Sequence, residues 1–219
     1  MSVPRNISQL WIGPSPIPAR EQEWCDQTAL VNRTWDYRLH GNESLERYGQ
    51  DPFIKAMLAK GEKWAFLADR LRILLLRDEG GVYLDADAEP VRPLDSLPIW
   101  DWPHVDFVAG LRSPSRKDVA LHRAVPIVDN TFLASAKGGR LVRHIEALWT
   151  PTAIMGENHA INGHRTGIAI LEHASYDTVL LNHRFCYCEV QYPESLLLHD
   201  SHNLGSWTPN PGQPRTCRV

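Results

Sequence analysis

Two aspartates separated by one residue, Asp85 and Asp87, and an acid and a base three apart, Asp69 and Arg72, are the residues whose types and spacing point to chemistry. In an extended segment side chains alternate, so Asp85 and Asp87 project to the same side, and a ligand belongs there. Arg72 offers a rigid fork of donors for phosphate or hydroxyl oxygens, and Asp69 can orient that fork or accept hydroxyl groups. Hydrolysis of a glycoside by two carboxylates fits poorly, because the acids of such enzymes flank the sugar and do not share one side of it. The plain alternatives are a surface ion pair, worth a few tenths of a kcal/mol, and a pair of aspartates capping a turn.

The elements that must position these residues lie in one uninterrupted stretch, residues 64–93. Trp64, Leu67, Ala68, Leu71, Leu74 and Leu75 recur at spacings of three and four, which predicts a helix with one apolar stripe and places Asp69 and Arg72 together on its flank. Gly80 and Gly81 stop that helix, and residues 82–84 read as a short buried strand running into Asp85-Ala86-Asp87.

Upstream, residues 6–12 form a first strand with Trp11 near its end, followed by a Gly-Pro-Ser-Pro turn. A helix begins near Pro18 and continues over 21–31, with Trp24, Leu30 and Val31 expected inward. Residues 36–39 are the next strand, 40–44 a break, and 53–60 a short helix. Downstream, strands are expected over 106–111, 127–134, 179–181, 187–190 and 196–199, with helices over 140–149 and 168–173. The alternation of strand and helix predicts an α/β layered sheet flanked by helices. Residues 200–219 are too rich in proline and glycine for regular structure and read as a flap over a site.

The 219 residues, 43% hydrophobic, suit a single domain spanning 1–219. With no apolar run long enough for an export signal or a membrane span, a cytoplasmic location is expected, and the N-x-S/T matches at Asn6, Asn32 and Asn42 are read as chance. Cys25, Cys186, Cys188 and Cys217 have neither metal-site spacing nor the density of a disulfide scaffold. A net charge of -3 argues against a general nucleic-acid coat protein. Between Arg112 and Arg143, however, seven bases (Arg112, Arg116, Lys117, Arg123, Lys137, Arg140, Arg143) face two acids (Asp118, Asp129), which marks either a solvated face or an anionic partner.

A first strand ending in Trp-Ile-Gly-Pro, an A-D-x-x-R helix, GGVYLDAD and a late H-x-x-G-S-W together resemble the DXD-containing sugar transferases of glycosyltransferase family 32. That group includes the initiating mannosyltransferase of yeast and many capsular polysaccharide enzymes, and it shares its core with the large clostridial glucosylating toxins. The resemblance implies a GT-A type, Rossmann-like fold and a hexosyltransferase using a nucleotide-diphosphate sugar, with UDP-sugars favoured and GDP-sugars possible. It further implies that Trp11 stacks on the base, Asp69 and Arg72 hold sugar and diphosphate, and Asp85 touches ribose and sugar hydroxyls. Asp87 and His202 would bind the metal, Asn130 would lie near the donor sugar, and Ser206 and Trp207 would contact phosphate. Thr166-Gly167 is similar to the start of a T-G-P element, but Ile168 stands where the proline is expected.

These residue types suit the reaction. Negative charge grows on the departing diphosphate, and hard oxygen donors such as Asp87 suit Mg²⁺ or Mn²⁺, with one imidazole favouring Mn²⁺. The acceptor is expected to be a saccharide, with hydroxymethylated pyrimidines in DNA as the alternative, and relatives of this class retain anomeric configuration. Glu157, Asp129 and Asp200 are the remaining carboxylates to consider as nucleophile or base. A protein that binds nucleotide-sugar without turnover is the rival from another class.

Overall fold

Strand alternation sets the architecture. Val82, Tyr83 and Leu84 turn alternately to two separate cores, and so do Phe107, Val108 and Ala109, and Phe132, Leu133 and Ala134. Both faces of the sheet are therefore covered. The computed structural model describes residues 2–61, 64–111, 128–149, 167, 169–170, 172–173, 177–181, 185 and 195–199. Within them the strands are β1 (Asn6–Leu10), β2 (Asp36–His40), β3 (Gly81–Leu84), β4 (Ala88–Pro90), β5 (Phe107–Leu111), β6 (Val128–Ser135), β7 (Thr178–Leu181) and β8 (Leu197–His199). The helices are α1 (Ala19–Val31), α2 (Glu43–Tyr48), α3 (Pro52–Lys60), α4 (Trp64–Asp78) and α5 (Arg140–Ala147).

Six strands form one mixed sheet in the order β2-β1-β3-β6-β5-β7. β1 runs parallel to β2 and β3, β6 is antiparallel to β3 and β5, and β7 is parallel to β5. A second, two-stranded sheet joins β4 to β8. Helices α2 to α5 cover one face through Tyr48, Phe53, Met57, Leu71 and Ile145. On the other face Trp35 meets Trp100 edge-on, with centroids 5.1 Å apart, inside a core built from Val3, Ile7, Leu94 and Leu97. The α/β layered sheet expected from the alternation is present. No helix among the described residues is long and apolar enough to cross a membrane.

Helix α4 departs from the one-stripe expectation. Leu67 and every residue from Asp69 to Leu76 are buried, because α3, α5 and the sheet enclose the helix on several sides. Trp64, expected in the stripe, is 41% exposed. Asp69 and Arg72 are accordingly interior residues and not a surface pair. Arg70 is held too, by Asp51, whose carboxylate also caps α3 by accepting from the amides of Phe53 and Ile54.

The turn from α4 to β3 needs both glycines. Gly81 has φ +88°, and a Cβ there would sit 2.4 Å from the Asn6 carbonyl; at Gly80, φ +70°, it would meet the Lys137 amide nitrogen at 2.6 Å. The backbones of β1 and of the β6–α5 turn thus close on this corner.

Other expectations also need correction. The inward face of α1 is Glu21, Cys25 and Thr28, whereas Leu30 and Val31 are exposed and Trp24 is half-buried. Residues 43 and 44, read as the end of a break over 40–44, begin α2 instead. Between β4 and β5 the chain makes two 3-10 turns, Leu94–Ser96 and Pro98–Asp101. The strand expected over 187–190 and the flap over 200–219 lie outside the described residues.

Candidate active site

The carboxyl ends of β1, β2 and β3 lie side by side, the usual place for a ligand in a sheet of this kind. Leaving β3, the chain does not stay extended through Asp85-Ala86-Asp87. It turns, with the Ala88 amide donating to the Asp85 carbonyl at 3.2 Å. Asp85 and Asp87 are both half-buried while Ala86 between them is buried, and both carboxylates act electrostatically on Arg72. The turn, and not strand alternation, is what presents them.

Arg72 is the hub. Its Nη2 lies 2.8 Å from Asp69 Oδ1, and its Nη1 lies 3.0 Å from Asp85 Oδ1 and donates to the Asn130 carbonyl at 2.6 Å. The guanidinium sits over the ring of Tyr83, 4.7 Å from its centroid. Tyr83, which the sequence reading did not single out, donates its hydroxyl to Asp85 Oδ1 at 2.9 Å. Burial works against the charge of Arg72, but Asp85, Tyr83, Asp69 and Asp87 together outweigh it, and its pKa stands above the usual arginine value. Burial raises the Tyr83 pKa far above that of a free tyrosine, so its hydroxyl keeps the proton it donates. The Arg72 Nε is buried without a hydrogen-bond partner among the described residues.

A bulge in β6 brings the backbone into this cluster. Ala109 pairs with Leu133, but its neighbour Gly110 pairs with Asp129, which leaves residues 130–132 unmatched on β5. From that segment the Asn130 carbonyl reaches Arg72, and the Thr131 carbonyl accepts from the Asp85 amide at 3.0 Å. Asn130 therefore meets the cluster through its main chain.

Trp11 follows β1 on the same edge of the sheet. Its amide donates to the His40 carbonyl at 2.9 Å, and its indole Nε1 to the Ser15 carbonyl at 3.0 Å. The loops after β1 and β2 are tied together by Asn42, which accepts from the Gly13 amide and donates to the Gly13 carbonyl. The structure thus brings Asp69, Arg72, Asp85 and the Asn130 backbone into contact, with Asp87 on the same turn and Trp11 at the end of the neighbouring strand. His202, Ser206, Trp207, Thr166, Glu157 and Asp200 lie outside the described residues, as does the side chain of Asp129.

Among the described residues no group of three or more His, Cys, Asp or Glu is placed to hold a metal ion. Two carboxylates on one turn are nevertheless present, and three acids (Asp69, Asp85, Asp87) surround a single base, Arg72. That excess of negative charge, made of hard oxygen donors, fits a divalent cation.

Comparison with known proteins agrees with this geometry. Residues 26–101 match the family described as "Glycosyltransferase sugar-binding region containing DXD motif". The window contains Asp69, Arg72, Asp85 and Asp87. No curated protein matches the chain by sequence. Among solved structures the chain is similar to PaToxG glycosyltransferase, with 17% identity, 79% of this chain and 70% of that chain covered, and a TM-score of 0.60. It is also similar to a glycosyltransferase involved in the glycosylation of the major capsid of PBCV-1, with 13% identity, coverage of 90% and 94%, and a TM-score of 0.51. A third is the galactosyltransferase LgtC in complex with donor and acceptor sugar analogs, with 10% identity, coverage of 89% and 86%, and a TM-score of 0.52. At such identities the likeness is one of fold. The chain has the GT-A fold of glycosyltransferases, and its residues 26–101 match a DXD-containing sugar-binding region.

Proposed function

We propose that the chain transfers a hexose from a nucleotide-diphosphate sugar, a UDP-sugar by preference and a GDP-sugar otherwise, onto a saccharide hydroxyl, with a divalent cation, Mn²⁺ or Mg²⁺, at Asp87. The observation that carries this reading is the contact of Arg72 with both Asp69 and Asp85 beside Asp87, at the carboxyl ends of three parallel strands. Asp85 is held in position by Arg72 and Tyr83, so its carboxylate is preorganised for donor hydroxyls. Asp69, 2% exposed, fixes the guanidinium in turn. Trp11, held through its indole nitrogen, offers a flat face to a base.

In the reaction the bond between the anomeric carbon and the diphosphate oxygen breaks, and the acceptor oxygen bonds to that carbon. In this reading attack comes from the leaving-group face, with the acceptor proton passing to the departing diphosphate, and configuration is retained. A bound cation would supply charge neutralisation for that diphosphate. His202 would join Asp87 in holding it, and Ser206 and Trp207 would meet phosphate. What supports this assignment is β8, which pairs His199 with Ala88, next to the DXD turn and three positions before His202 in sequence.

A donor screen tests the proposal. UDP- and GDP-sugars are offered with Mn²⁺ and with chelator, and release of nucleoside diphosphate and transfer to glycans are measured. Cation-dependent release with one donor class is expected, lost in Asp87→Asn. In the same screen Trp11→Ala should weaken nucleotide binding by about 1–3 kcal/mol, the value of one stacked base. Tight donor binding with no release or transfer under any condition reduces the protein to a nucleotide-sugar binder.

A further inference from the structure

The DXD turn is held from both faces of the sheet, and only one of the two grips contains residues that an active-site reading would name. On the α4 face stand Arg72 and Tyr83. On the opposite face stand Gln9, Tyr37 and Cys25, drawn from β1, β2 and α1. Gln9 is fully buried, and its Nε2 donates to the Asp85 carbonyl at 3.0 Å. Its other end is occupied as well, for Oε1 accepts the Tyr37 hydroxyl at 2.8 Å. Cys25, also fully buried, directs its thiol at the Ala86 carbonyl at a sulfur distance of 3.9 Å and lies beside the Tyr37 hydroxyl.

The pattern is specific in what it binds. Two consecutive carbonyls of the turn, those of Asp85 and Ala86, are met from below by side-chain donors, and the intervening carboxamide cannot rotate without losing two hydrogen bonds. Polar side chains at such depth are costly unless paired, so apolar residues would suffice if the positions only filled space. Burial pushes the Cys25 thiol up to about 11, against the Tyr37 hydrogen bond, which lowers it, so near neutrality the thiol keeps the proton it donates.

We infer that Gln9, with Tyr37 and Cys25 behind it, is a positioning device for the DXD turn that sets the angle at which Asp85 and Asp87 present their carboxylates to cation and donor. The inference rests on reading that turn as the cation and donor site. Outer groups that orient metal-binding residues typically contribute 10–100-fold to metal affinity. Gln9 and Cys25 meet the turn at its backbone carbonyls and Tyr37 acts through Gln9, so their effect is read in cation-dependent binding.

The test is a Mn²⁺ titration of UDP binding, followed by calorimetry, on the full chain and on Gln9→Met, Tyr37→Phe and the double variant, with thermal melts in parallel. Gln9→Met should raise the Mn²⁺ concentration needed for UDP binding by about tenfold or more, with a smaller rise for Tyr37→Phe. Because Tyr37 acts through Gln9, the double variant should be no weaker than Gln9→Met alone. Tyr37→Phe removes a single hydroxyl, and it tests the relay even if Gln9→Met does not fold. Folded variants with the wild-type Mn²⁺ titration overturn the inference and leave the functional reading standing. Wild-type protein that binds UDP equally well with Mn²⁺ and with chelator overturns both.

Discussion

Arg72 and Asp85 are joined across two elements: Nη1 on helix α4 lies 3.0 Å from Oδ1 at the end of β3, with the arginine buried and the aspartate half-buried. The pair makes α4 and the DXD turn one mechanical unit. Replacing Arg72 by Met takes from Asp69, 2% exposed, the guanidinium that lies 2.8 Å away, and removing one partner of a buried pair costs about 3–5 kcal/mol. Arg72→Met is therefore expected to lower the denaturation midpoint sharply as well as abolish transfer. Arg72→Lys keeps the charge but not the fork, and should fold better while remaining at least tenfold less active. Denaturant melts alongside donor release check this; a fully stable, fully active Met variant would contradict the interior placement of the pair.

Deletion of residues 200–219 is expected to abolish transfer while residues up to His199 keep β8 paired to β4. His202→Ala should reproduce most of the loss and raise the Mn²⁺ requirement, which separates a ligand role from mere covering. Near-normal turnover by the folded truncated protein would remove His202, Ser206 and Trp207 from the site.

His40 supplies a pH dependence of stability. It is 2% exposed with Nε2 3.2 Å from Ser8 Oγ, and burial lowers its pKa below the usual histidine value. A base with a depressed folded pKa binds fewer protons folded than unfolded. Stability is then complete above the unfolded value, about 6.5, and falls as pH drops below it, by about 1.4 kcal/mol per unit of depression. Urea midpoints measured from pH 8 to 5 should decline for the wild type, with a flatter decline for His40→Asn. Identical slopes would assign the decline to other groups.

The acceptor is decided by salt. If the basic stretch from Arg112 to Arg143 meets DNA phosphates, apparent acceptor affinity falls linearly in log–log form with a slope of several units. A saccharide acceptor, the reading preferred above, predicts a nearly flat response. Transfer to glycans and to hydroxymethylcytosine DNA across a salt series distinguishes them, and Arg116→Glu with Lys117→Glu should raise the acceptor KM only in the DNA case.

The sequence made the α4–β3–DXD segment legible because three strong local signals coincide there: a helical period, a glycine pair and an acid pair. Legibility failed where partners come from far along the chain. The period of α4 shows one stripe and puts Asp69 and Arg72 on its flank, but residues 71–76 are covered on more sides than a period can report, so the depth of that pair was not legible. Leu30 and Val31 are apolar yet exposed, while Glu21, Cys25 and Thr28 are buried, so hydrophobicity alone misassigned the α1 face. Asn130 was singled out by resemblance, and what reaches Arg72 is its carbonyl, a group every residue has. Gln9 and Tyr37 have no distinguishing spacing at all; only the parallel register of β1 and β2 makes them meet.

The pairing of β4 with β8 bears on how the protein becomes competent. Ala88 leaves the DXD turn and finds its partner, His199, only 111 residues further along the chain. Contacts so distant in sequence close late, because the entropy of the intervening loop must be overcome before they add stability. A growing chain can complete β1, α4 and β3 and even assemble the Arg72–Asp85 contact long before β8 is synthesised. The acid pair then waits on one side of an unfinished ribbon. Competence should therefore wait on the pairing of β8, with nascent chains that end before β8 folded in part but unable to act on a donor.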